Sequence, residues 1–219
     1  ALTTPLVPST TMAGVTNYFV EQYDSNNFCA SLSRVQAVVT VKPLAPTVTD
    51  VSYCQNATAI ALTASSQIGA TLKWYTTIGG TASLTAPTPN TSTVGTTNYY
   101  VSQTVNSVES NVATITITVN PATATPSVVS GNTTVTTLTS EVYAVTSVAN
   151  TTYVWTLPSF MSGSSTTNSI TASINAGGTG FVSVVAIDAT GCPSAASRTS
   201  VQVQSIPYVA PVPTASNAT

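Results

Sequence analysis

Short runs of alternating apolar and polar residues recur along this chain. Val35-Gln36-Ala37-Val38-Val39-Thr40-Val41 and Ala113-Thr114-Ile115-Thr116-Ile117-Thr118-Val119 have a period of two, which puts apolar side chains on one face of a strand and hydroxyls on the other. That is the pattern of a half-buried antiparallel strand. No stretch shows helical periodicity. Strands are predicted at Thr47–Tyr53, Ile60–Ala64, Thr71–Tyr75, Asn98–Thr104 and Asn111–Val119, then at Ser127–Ser130, Val142–Val148, Thr152–Leu157, Ser169–Ile174, Gly180–Ala186 and Ser197–Gln204. Strands this short, separated by turn signals such as Gly79-Gly80, Gly131-Asn132 and Gly177-Gly178, predict an all-β sandwich architecture.

The chain also repeats itself. Gly14-Val15-Thr16-Asn17-Tyr18-Phe19-Val20 returns as Gly95-Thr96-Thr97-Asn98-Tyr99-Tyr100-Val101. A Pro-containing Thr/Ser-rich stretch precedes each copy, and an alternating strand ending in proline follows it. The prolines at Pro43–Pro46, Pro121–Pro126 and Pro207–Pro213 fix φ and remove a ladder donor, so they predict semi-stiff boundaries. Four segments are therefore expected: 1–43, matching only the second half of the repeat; 44–121, a complete repeat; 122–207, a second unit of different sequence; and 208–219, a linker or the start of a further repeat. A half-repeat at 1–43 would expose a sheet edge and half a core. It is expected to pack on material beyond this chain, or to be completed by another chain.

Composition narrows the function. Charged residues make up 5% of the 219, against 42% hydrophobic and a usual charged share of about 25%. Thr, Ser and Asn supply the polar surface. The four basic residues, Arg34, Lys42, Lys73 and Arg198, are scattered, so they form no patch for nucleic acid or an anionic membrane. No apolar run approaches the roughly 20 residues that a membrane-spanning helix needs. No basic segment precedes an apolar one at the start, so any export signal is expected to lie outside this chain.

Catalysis finds few candidates. The chain has no histidine, which removes Ser-His and Cys-His nucleophiles. Glu21, Asp24, Asp50, Glu109, Glu141 and Asp188 form no paired motif, and Asp24 and Asp188 fall in expected turns. No catalytic residue, metal site or cofactor is predicted. Trp74 and Trp155 are mid-strand and are expected to be core residues. Of the Tyr99-Tyr100 pair, Tyr99 is taken as the structural member, since neighbours on a strand face opposite ways. Lys73 is expected to be solvated.

Residues 44–121 resemble the Ig-like repeats of Bacteroidota cell-surface proteins, including gliding-motility adhesins of the SprB type. The resemblance rests on Tyr53-Cys54, Leu72-Lys73-Trp74-Tyr75, Gly79-Gly80-Thr81, Ala86-Pro87-Thr88-Pro89, the stretch from Gly95 to Gln103, and Glu109-Ser110. Residues 122–207 resemble the PKD-like repeat of the same proteins, through Tyr153 to Pro158, Gly163 to Ile170, and Gly191-Cys192-Pro193-Ser194.

The resemblance implies tandem Ig-like and PKD-like sandwiches in an elongated array, type IX secretion, display outside the cell, and no enzymatic activity. The implied role is that of a stalk segment in a large adhesin. Its implied partners are neighbouring repeats and the secretion and motility machinery. Three alternatives stay open: a polysaccharide-binding module, an accessory module of a secreted hydrolase, and a filament subunit completed by a neighbouring chain. In the family a cysteine after the first strand pairs with one just before Glu-Ser. Val108 holds that second position here, so Cys54 is expected to be an unpaired thiol. Cys29 holds it in the first copy, with a partner expected outside the chain. The pairing of Cys192 is left open.

Overall fold

The computed structural model describes residues 6–205 and divides the chain into two compact units, residues 1–119 and 120–219. The expected linker or further repeat at 208–219 and the proline boundary at Pro207–Pro213 lie outside the described residues. Each unit is all-β, as the alternating pattern predicts, and no described residue is helical.

The first unit opens with a two-stranded ribbon. β1 (Gly14–Val20) pairs antiparallel with a later strand, and β2 (Tyr23–Asp24) and β3 (Cys29–Ala30) form a small hairpin between them. The partner of β1 is β4 (Val35–Val41), in a register running from Gly14 opposite Val41 to Val20 opposite Val35. Most of both strands is exposed. The rest of the unit has β5 (Val51–Cys54), β6 (Thr71–Tyr75), β7 (Gly95–Val105), β8 (Val108–Glu109) and β9 (Ala113–Asn120). They form one sheet in the order β5-β9-β7-β6, with β8 folded back on β7.

The alternation in β9 places Ile115, Ile117 and Val119 inward, each at most 4% exposed. Trp74, Val101 and Leu62 meet them in the core. Burying side chains of this size stabilises by roughly 1.5–3 kcal/mol each. The layer facing the sheet is irregular. Ile60–Ala64, expected as a strand, forms none. Leu62 donates its N–H to Pro87 O, and Thr47 and Ser65 bond each other. Pro87, opposite Leu62, has no N–H to donate back, so the ladder does not propagate there.

The second unit contains β10 (Thr134–Thr136), β11 (Ser140–Ala144), β12 (Thr152–Thr156), β13 (Met161–Ser162), β14 (Ser169–Ile174), β15 (Gly178–Ile187) and β16 (Ser197–Gln204). Its sheets are β10-β16-β15-β12 and β11-β14-β13. β10 and β16 are parallel, while the other pairs are antiparallel. Inward residues of both sheets close the core, with Tyr143, Ala172, Val182, Val184 and Val201 fully buried. Gly131 stands beside the Tyr143 ring at φ 140°, and a Cβ there would come within 2.5 Å of Tyr143 Cδ1. Only glycine suits that backbone and that space.

Candidate functional site

Strand β6 carries Lys73 and Tyr75 on the face opposite Leu72 and Trp74, as alternation dictates. Pairing with β7 sets Lys73 across from Ser102 and Tyr75 across from Tyr100. The turn after β7 returns β8 alongside it, with Glu109 opposite Thr104. Four side chains therefore converge on the outer face of this sheet.

Lys73 Nζ donates to Glu109 Oε2 at 2.7 Å. Ser102 Oγ donates to Glu109 Oε1 at 2.5 Å, and Tyr75 donates its hydroxyl to the same oxygen. The Lys73 hydrogen bond, then those of Ser102 and Tyr75, hold the Glu109 carboxyl down at about 2. Its hydrogen bond to Glu109 raises Lys73 in turn. Burial, then the hydrogen bond to Glu109, raises the Tyr75 phenol.

This arrangement disfavours catalysis. A carboxylate with so low a pKa is a weak base and carries no proton to give near neutral pH. An ammonium stabilised by its partner is a poor nucleophile. The cluster is a satisfied ion pair that seals the sheet over Ser102, which is fully buried. Lys73, expected to be solvated, is thus half-buried and ion-paired. The order of residues along the chain hid this, because Glu109 reaches Lys73 only through the β7–β8 turn.

The indole of Trp74 is 3% exposed. Its backbone exchanges two hydrogen bonds with Ser83. It lines one wall of an open groove of about 470 Å³, with Leu62, Leu72, Leu84 and Ala86 around it and no titratable side chain. Tyr99 lies opposite Ile115 and packs half-buried on the same core. Trp155 packs on the second unit's core and donates Nε1–H to Thr167 O at 2.9 Å. Trp74 is thus buried, while Tyr99 and Trp155 are half-buried. The exposed aromatics include Phe19, Tyr23 and Phe28 on the ribbon and Phe181 on β15, whose ring the Arg198 guanidinium covers at 4.8 Å.

The cysteines correct one expectation. Cys54 is disulfide-bonded, as is the fully buried Cys192. The expectation of an unpaired thiol rested on Val108 filling the family's second position. Cys29 is free and exposed, its thiol 3.2 Å from Asn27 O. Asp24 accepts hydrogen bonds from the Asn26 backbone N–H and the Asn27 side chain, and these lower its pKa. Asp188 is lowered by the Thr190 hydroxyl. Both are turn-closing carboxylates. Among the described residues no group of three His, Cys, Asp or Glu side chains could hold a metal.

Residues 43–121 match the family described as "Ig-like domain CHU_C associated". This stretch has an Ig-like fold. Among solved structures, fibronectin(III)-like modules of Clostridium thermocellum CbhA align at 15% identity, over 72% of this chain and 91% of that one, with a TM-score of 0.44. Murine CEACAM1b aligns at 14% identity, over 74% of this chain and all of that one, with a TM-score of 0.33. SGBP-B of the Bacteroides ovatus mixed-linkage glucan utilization locus, solved with a mixed-linkage heptasaccharide, aligns at 19% identity over 74% and 44%, with a TM-score of 0.24. No curated protein matches the chain.

Proposed function

We propose that this chain is a non-catalytic segment of an extracellular Bacteroidota adhesin, a spacer between other parts of a surface protein exported by type IX secretion and serving attachment and gliding. The observation that carries this reading is the pair of separate hydrophobic cores in consecutive stretches of one chain. Each core draws on residues of its own unit alone, so each unit can stand as a module. The Ig-like match of residues 43–121 supports the same reading, as does a charge-poor, hydroxyl-rich surface with little non-specific electrostatic attraction. The second unit is read as the PKD-like module of the pair.

Single-molecule pulling on the whole chain tests the proposal. With Cys54 and Cys192 first reduced, a spacer should give two separate unfolding steps, each releasing the length of one module. Extension of both modules without measurable resistance would remove the spacer role. Retardation of the chain in gels containing soluble polysaccharide would shift the reading to a polysaccharide-binding accessory module.

A further inference from the structure

The β1–β4 ribbon is the same strand pair as β7–β9. The shared motif aligns Gly14 with Gly95 and Val20 with Val101, and the registers agree: Gly14 opposite Val41 and Val20 opposite Val35, Gly95 opposite Val119 and Val101 opposite Ala113. In the complete repeat this pair is interior. β6 lies along β7 and β5 along β9. In the ribbon, among the described residues, neither outer edge is paired.

Equivalent positions register the difference. Val101 is fully buried, whereas Val20 is 63% exposed. Val108 is 6% exposed, whereas Cys29, which likewise stands just before a Glu-Ser or Ala-Ser pair, is exposed. Natural edge strands carry lysine, proline or bulges that discourage pairing. Neither GVTNYFV nor VQAVVTV has a charge or a proline. These are sequences of interior strands standing at an edge.

We propose that the ribbon is a strand-acceptor site whose occupant is the first half of an Ig-like repeat of this same kind. The occupant adds a strand with the chemistry of Val51–Cys54 along β4 and one with the chemistry of Thr71–Tyr75 along β1. A tryptophan at the place of Trp74 and a leucine at that of Leu62 then cover Tyr18, Val20, Val39 and Val41. Main-chain hydrogen bonds along both edges supply affinity, and the indole supplies specificity. A second copy of this chain is a poor occupant, because its own β5 and β6 are already held by β9 and β7.

Cys29 is the test's reporter, since Cys54 and Cys192 are disulfide-bonded. One arm adds a synthetic peptide of residues 44–81, with serine replacing its cysteine, to the full chain. The other duplicates that segment ahead of Ala1. Both should slow Cys29 alkylation by maleimide about tenfold or more and slow amide exchange in residues 14–20 and 35–41 similarly, as expected when an open edge becomes an interior strand. Val20→Asp should abolish the protection in both arms while leaving the melting of residues 44–121 unchanged. Alkylation as fast with the peptide as without it would overturn the proposal, and this arm decides if the duplicated chain does not fold. Protection of Cys29 and the ribbon amides by dimerisation of the unmodified chain would also overturn it, in favour of a second copy.

Discussion

Lys73 Nζ lies 2.7 Å from Glu109 Oε2, and that contact joins β6 to β8 across the width of β7. Both side chains are about a third exposed, so solvent screens the pair and its net worth is about 1 kcal/mol. Glu109→Gln should lower the stability of the first unit by that order in urea titrations at pH 7, and a double-mutant cycle with Lys73→Met should show that the two losses do not add.

The same carboxylate sets a pH window. Its pKa falls from 4.5 to about 2 on folding, so its contribution is complete above about 5 and is lost as pH drops toward 2. Lys73 is raised, so its share is present at neutral pH and is lost only in strong alkali. Wild type should therefore lose more stability than Glu109→Gln between pH 5 and pH 2. Parallel loss in both proteins would show that the pair contributes nothing.

Trp74→Ala removes a buried indole from a core of six buried side chains. The expected cost is about 3–5 kcal/mol, enough to unfold a module of this size. Trp155, in the other unit, remains as a fluorescence reporter. Its emission should keep the wild-type melting profile while far-ultraviolet dichroism shows loss of the first unit.

Tyr153 accepts the Val148 N–H at 2.9 Å through its hydroxyl and lies within 3.4 Å of Thr146 O. Tyr153→Phe keeps the ring and orphans that donor. The second unit should lose about 1–3 kcal/mol in thermal or urea unfolding. Gly131→Ala should cost at least as much, because the new methyl meets Tyr143 and the backbone is strained. Equal melting of Gly131→Ala and wild type would show that the segment before β11 relaxes freely.

The strands that were legible were those whose alternation is long and uninterrupted. Thr71–Tyr75, Ser169–Ile174 and Ser197–Gln204 form where the pattern puts them. Ile60–Ala64 has the same alternation and forms no strand, since Pro87, whose carbonyl takes the Leu62 N–H, has no donor to return. β10 and β13, of three residues and two, have too few positions to show a period. The inward placement of Trp74 followed from its neighbours. The Lys73–Glu109 pair did not, because a turn placed the partner and periodicity is silent about turns. The bond at Cys54 was not legible, because spacing along a chain with three cysteines does not show which of them are bonded.

The scarcity of basic side chains also governs how the chain meets proteases. An enzyme that cuts after lysine or arginine has four places to try. Lys73 sits half-buried in β6, and Arg198 is held in β16 by its pairing with Ser183 of β15. Lys42 is followed by Pro43, a bond such enzymes cleave poorly. That leaves the Arg34–Val35 bond, at the exposed start of β4. One nick there would split the ribbon between its strands and leave both sandwiches whole, so a trypsin-like protease in the surroundings would trim this chain rather than digest it.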